Sequence, residues 1–272
     1  ASSEGYLRVG VRAVLRNDRF LFEADSAARA SPPDSFRAWA GVFAELREER
    51  FAVREYLNGF SEEDVDLGRR LNVSVNLAPD AFGYERDGVG LRLGGSVAGR
   101  LGGGVMWRLA AAANGLFNAG GLDSGRVVAV AGAAVQPTER QALIVRIEGG
   151  LLDDPAPSGE FDLGFEVGPR LFDPHSFVGT RAAWGTAEYR WFAWDDLLDL
   201  AGVGFAAFLD YGGAWFGDQD VRTGGNVGLG LRLGATRASV ARTTRIDVGY
   251  RFGPDVTGDR WAVSIGSAVQ LF

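Results

Sequence analysis

Apolar and polar side chains alternate along most of this chain, most cleanly in its C-terminal fifth. Between Asn226 and Ala235, Val227, Leu229, Leu231 and Leu233 fall on one face, and Gly228, Gly230, Arg232 and Gly234 on the other. Thr244, Ile246, Val248, Tyr250 and Phe252 then oppose Thr243, Arg245, Asp247, Gly249 and Arg251. Finally Trp261, Val263, Ile265, Val269 and Leu271 oppose Ala262, Ser264, Gly266, Ala268 and Gln270. A period of two is that of a strand with two unlike faces. The second face mixes glycine with arginine and aspartate, which predicts the watery inside of a transmembrane barrel rather than a packed core.

The same pattern predicts strands over 5–16, 19–28, 35–47, 50–58, 64–77, 87–101, 103–117, 124–135, 139–151, 159–168, 180–193, 200–213, 225–236, 241–252 and 260–272. All 9 prolines fall between these segments, as residues that cannot donate to a ladder should. Asn17-Asp18 and Gln136-Pro137-Thr138 read as hairpin turns. The segments are odd in number, whereas single-chain bacterial barrels have an even count, about sixteen here, with fourteen as the alternative. The missing strand is expected between 150 and 180 or at the N-terminus. The expected architecture is therefore all-β: one transmembrane antiparallel β-barrel over 1–272, with short connections and little chain left for a plug or a long lid.

Strand length fits a membrane. Trp261 to Leu271 rises at about 3.3 Å per residue, which after tilting gives roughly 25 Å along the normal, the height of a barrel's apolar band. Aromatic residues gather at strand ends, as an interfacial girdle would: Trp191, Phe192 and Trp194; Trp215 and Phe216; Tyr250 and Phe252; Trp261 and Phe272. No apolar run is long enough for a membrane helix.

Composition narrows the partners. A net charge of −7 argues against nucleic acid. The absence of cysteine excludes disulfides and thiolate metal sites. Every basic residue is arginine, whose planar fork suits carboxylates on a lumen wall. The Ala1-Ser2-Ser3 start fits a mature terminus left after cleavage at small residues.

From about Phe161 to Phe272 the chain resembles the outer-membrane assembly barrels, the BamA/TamA-like bacterial surface-antigen superfamily. The resemblance rests on Glu188-Tyr189-Arg190, then Phe208-Leu209-Asp210-Tyr211-Gly212-Gly213-Ala214-Trp215, which is similar to the family's F-x-D-x-G-x-x-W strand. Gly228 to Arg232, Arg245 to Tyr250 and a final strand from Trp261 follow in order. Ser264, Gly266, Val269, Leu271 and Phe272 look like a terminal signal read by the barrel assembly machinery. The resemblance implies a loop whose Arg-Gly-aromatic tip folds into the lumen and meets the strand aspartate, here Asp210. The corresponding loop, Pro169 to Thr180, carries Val178-Gly179-Thr180-Arg181 instead, so Arg181 or Arg170 would have to serve. The family's POTRA domains are not expected within this sequence. Outer-membrane lipid and other envelope proteins are the implied partners.

Catalytic chemistry finds little support. His175, the single histidine, stands beside Ser176, but neighbours in sequence rarely face each other and no glycine-flanked nucleophile is visible. Asp153-Asp154 and Asp218-Gln219-Asp220 lack calcium-loop spacing. Arg146 with Glu148, Asp162 with Glu166, Glu188 with Arg190, and Arg245 with Asp247 and Arg251 read as charge pairs inside the barrel. No enzyme activity, cofactor or metal is expected. The leading expectation is an envelope scaffold, docking or assembly-related barrel; a passive pore and a lipase-type barrel are the alternatives.

Overall fold

The computed structural model describes residues 4–19, 34–155, 159–165, 167–197, 201–235 and 243–267. Twelve strands form one antiparallel sheet. In chain order its members are β1 (Glu4–Asp18), β2 (Ser35–Glu49), β5 (Arg69–Ala78), β6 (Gly88–Arg100), β7 (Met106–Asn118), β8 (Gly121–Thr138) and β9 (Gln141–Asp153). It continues through β12 (Arg181–Leu197), β13 (Ala201–Trp215), β14 (Gly224–Ala235), β15 (Thr243–Phe252) and β16 (Trp261–Ser267). Each strand pairs with its neighbour in this order, so the wall is an up-and-down meander. Among the described residues no ladder joins β1 to β16.

Among the described residues sixteen strands form, but four of them are short. β3 (Phe51–Arg54) pairs with β4 (Glu63–Asp66), and β10 (Phe161–Leu163) with β11 (Phe177–Gly179), as two separate hairpins. The alternation around 50–66 and 159–168 is real, yet strands of three or four residues cannot cross a wall, and both hairpins are folded inside instead. The expectation that little chain is left for plugs is thereby overturned.

Other details also differ from the sequence expectation. Asn17 and Asp18 are the last pairs of the β1–β2 ladder, opposite Phe36 and Ser35, and not a turn. The strand expected over 19–28 lies almost wholly outside the described residues. Pro137 sits within β8, at the register break between Val135 and Thr138, where a missing N–H costs no ladder bond. Trp194 to Leu197 continue β12 past two register shifts.

The faces fall as the alternation predicts. Outward are Leu7, Val9, Val11 and Leu15 in β1, Val227, Leu229 and Leu231 in β14, and Trp261, Val263 and Ile265 in β16, all exposed. Trp191, Trp194 and Tyr250 join this surface, whereas Phe192 points inward and is buried against Tyr56 and Phe60. The inward face divides in two. Along β12–β15 it is buried; along β1, β2 and β5–β7 most of it stays partly or fully exposed.

The buried half is filled from both ends. The β2–β5 connection lies at the end where β1 begins and β12 finishes, and it crosses beneath the wall. Val65, Leu67 and Leu57 pack on Ala98, Met106, Ala134, Ala142 and Ile144. Farther along, Arg190 donates to the Leu57 carbonyl (2.8 Å) and Thr243 to the Asn58 carbonyl (3.0 Å). From the opposite end the β9–β12 connection inserts Leu163, Phe172 and Phe177 against Ala182 and Ala214. Contacts from one connection to strands as far apart as β6 and β15 require the sheet to curl around it.

Glycine on the inward face makes this filling fit. A Cβ on Gly234 would stand 2.4 Å from the Phe60 ring, and one on Gly202 2.5 Å from it. One on Gly224 would stand 2.7 Å from Phe172. This half of the lumen is therefore packed, against the expectation of a watery face throughout. Gly234→Val should expel Phe60 and expose the β3–β4 segment, so that trypsin cleaves at Arg50 and Arg54 faster than in the wild type. Adding Phe60→Ala should restore protection, and failure of that rescue would mean the close approach is not what the glycine serves.

Candidate functional site

The packed half centres on Arg170, in the connection between β10 and β11. Its backbone N–H and Nε donate to Asp210 Oδ2 (3.1 and 2.8 Å), and Nη2 donates to Asp210 Oδ1 (3.0 Å). Nη1 donates to Glu188 Oε2, and Nη2 also reaches Thr186 Oγ1 (2.9 Å). The guanidinium lies over the Phe208 ring, 4.2 Å from its centroid. Burial alone would lower the pKa of Arg170, but the charges of Asp210 and Glu188 outweigh it and hold the value above normal. The cation is fixed by a bidentate carboxylate, a second carboxylate, a hydroxyl and an aromatic face.

The strands supply these partners by parity. Thr186 and Glu188 on β12 stand directly across from Asp210 and Phe208 on β13, so all four point inward at one level. Charge then passes along the wall. Glu188 Oε1 accepts from Arg190 (2.7 Å) and Arg232 (3.0 Å), and Arg232 donates to Asp247 (2.7 Å). Arg245 donates to the other Asp247 oxygen (2.7 Å) and to Ser264 (2.9 Å). Arg170, Arg190, Arg232, Arg245, Glu188, Asp210 and Asp247 are all buried.

Spare guanidinium donors pin the inserted segments through their carbonyls. Arg190 holds Leu57, Arg245 holds Phe165 (3.1 Å), and Arg251 holds Leu171 (2.5 Å). A Cβ on Gly230 would meet Asp247 Oδ1 at 1.9 Å, so the network needs glycine there.

Several of the residues singled out by sequence converge on this site. Glu188, Arg190, Phe208 and Asp210 are at its centre, and Glu188-Tyr189-Arg190 lies in mid-strand rather than at a strand end. Gly212, with φ of 150°, lets β13 approach Trp184, whose Cα would stand 2.4 Å from an added Cβ. Trp215 is half-buried at the end of β13, its backbone against Gly179. Ser264 belongs to the network, and Gly266 lies opposite Arg245. Val269, Leu271 and Phe272 lie outside the described residues, as does Glu166. Arg181 is the exception. It opens β12 with the parity opposite to inward-facing Ala182, so it is exposed at the rim, and Arg170 is the residue that meets Asp210.

Sequence reasoning undervalued Arg170 because its backbone signal is irregular. Gly168-Pro169-Arg170-Leu171-Phe172 belongs to no strand; its usable clues were the turn-forming Gly168-Pro169 pair, whose glycine takes a φ of 101°, and the aromatic residue two positions after the arginine.

Other candidate chemistry is dispersed. Arg146 pairs with Glu148 (2.9 Å), half-buried, beside the open half of the lumen. His175 Nδ1 lies against the Asp162 carboxylate at the exposed surface, and the Ser176 hydroxyl donates to the Asp173 carbonyl (2.7 Å), so no nucleophile–base contact is formed. Among the described residues no group of acidic residues and histidine is arranged to hold a metal ion.

Arg170→Ala should leave Glu188 and Asp210 buried beside too little positive charge, costing about 3–5 kcal/mol. Unfolding in detergent, followed by heat-modifiable gel mobility, should show a large loss of stability for Arg170→Ala and an intermediate one for Arg170→Lys, which cannot reproduce the fork. Arg181→Ala should leave stability within about 0.5 kcal/mol of wild type, as surface substitutions usually do.

The sequence matches no protein-family model and no curated protein. Among solved structures, the chain is similar to CdiB from Escherichia coli, with a TM-score of 0.56 and 14% identity over 98% of this chain and 50% of that one. The chain thus spans about half the length of that protein, and what the two share is the fold.

Proposed function

We propose that this chain is an integral β-barrel of the bacterial outer membrane, of the BamA/TamA-like kind, that works without catalysis as a docking scaffold or assembly-related barrel. The observation that carries this reading is the burial of Arg170 against Asp210 and Glu188. It fixes an inserted connection inside the wall, which is what the resemblance implies for Asp210 and what a simple diffusion pore does not need. A second connection covers the other end of the same half, so much of the lumen is occupied. The outward band of leucine, valine and tryptophan gives outer-membrane lipid as the surrounding phase. The barrel assembly machinery is the partner during insertion, and other envelope proteins are the partners afterwards.

The membrane claim has a direct test. The chain should require detergent for extraction and should shift in gel mobility on boiling. Leu229→Arg, in the middle of the outward face, should destabilise it by about 2–4 kcal/mol. Extraction into plain buffer as a monodisperse monomer, with Leu229→Arg neutral, would remove the barrel from the membrane. In planar bilayers the wild type should show no steady conductance, and Arg170→Ala combined with Phe60→Ala should admit one. Porin-like conductance from the wild type would replace the scaffold reading with that of a passive pore.

A further inference from the structure

The open half of the lumen holds a cavity of about 370 Å³ at the end away from the β3–β4 hairpin. Arg16, Arg37, Arg92 and Arg126 line it, together with Asn76 and Asn114, and one carboxylate, Asp153, shares the lining. Four guanidinium groups against one carboxylate is a strong local excess in a chain of net charge −7.

The wall itself brings these groups together. Arg16 and Arg37 are direct cross-strand partners, and so are Arg92 with Asn114 and Asn114 with Arg126. Like charges directly opposite one another destabilise a sheet. Arg16, itself exposed, is relieved in part by half-buried Asp18 (2.8 Å), and Arg37 and Arg126 lie over the rings of Tyr84 and Phe161. Among the described residues, neither Arg92 nor Arg126 meets a carboxylate. This contrasts with the packed half, where Arg170, Arg190, Arg232 and Arg245 each do.

We propose that this cavity is a binding site for a phosphoryl oxyanion, carried by a soluble molecule that enters through the lumen. Arg92 and Arg126, with Asn114 between them, supply planar donor forks for its oxygens, and Arg16 and Arg37 line the same cavity from β1 and β2. The site lies inside the wall, which keeps the headgroups of the surrounding lipid away from it. The proposal does not depend on a scaffold role, since a pore would present the same cavity.

The test is calorimetric titration of pyrophosphate into the full chain in a neutral detergent. Saturable binding is expected, weakened by added NaCl. Arg92→Gln with Arg126→Gln should weaken it by at least about tenfold, while Arg8→Gln, on the inward face but outside the cavity, should not. Heat-modifiable mobility checks that each variant is folded. Should the double variant not fold, Arg37→Gln takes its place with the same expectation. Absence of saturable binding to the wild type, or equal affinity in the folded cavity variants, would overturn the proposal.

Discussion

A guanidinium sealed away from water must find its partners at once, and Arg170 finds them on two adjacent strands. Asp210 takes it with both oxygens, Glu188 takes one end, and the Phe208 ring covers its face. None of these groups could be buried alone, because an unpaired charge inside a protein costs several kcal/mol. The loop therefore cannot leave without stranding Asp210, and Asp210 cannot be inward without the loop. Connection and wall are one unit for this reason, and the remaining lumen contacts are arranged around it.

Two consequences run outward from that pair. Glu188 is shared with Arg190 and Arg232, and Arg232 hands the charge on to Asp247 and Arg245, so four strands of wall are linked by alternating signs. Arginine has more donors than one carboxylate can use. The surplus N–H groups reach the carbonyls of Leu57, Phe165 and Leu171, which belong to no ladder. The same side chains thus neutralise the wall and satisfy the backbone of what fills it.

The alternation made the wall legible: the sequence assigned the inward and outward residues of β14, β15 and β16 correctly, because a period of two depends only on local geometry. It also placed Glu188, Phe208 and Asp210 on one face. It could not tell a dry lumen from a wet one. Glycine, arginine and aspartate on a strand are compatible with either, and the difference lies in Phe60 and Phe172, which come from distant parts of the chain. Short hairpins posed a similar problem. The residues around Val65 alternate like those of a wall strand, but their apolar side chains meet Met106 and Ile144 inside rather than an outer phase. Arg181 and Arg170 were both open as partners of Asp210, and strand parity excludes Arg181.

The two halves of the lumen obey one rule of charge with opposite results. In the packed half, each inward arginine has a carboxylate at ion-pair distance and an inserted segment to exclude solvent. Around the cavity of the open half, Arg16 stands opposite Arg37, and Arg92 and Arg126 both stand opposite Asn114. Such pairs are tolerable only where water or a mobile anion screens them. Filling that cavity with apolar side chains would bury cations without compensation, so electrostatics as much as shape keeps the inserted connections away from it. A positively lined cavity beside a neutralised plug is the arrangement that follows.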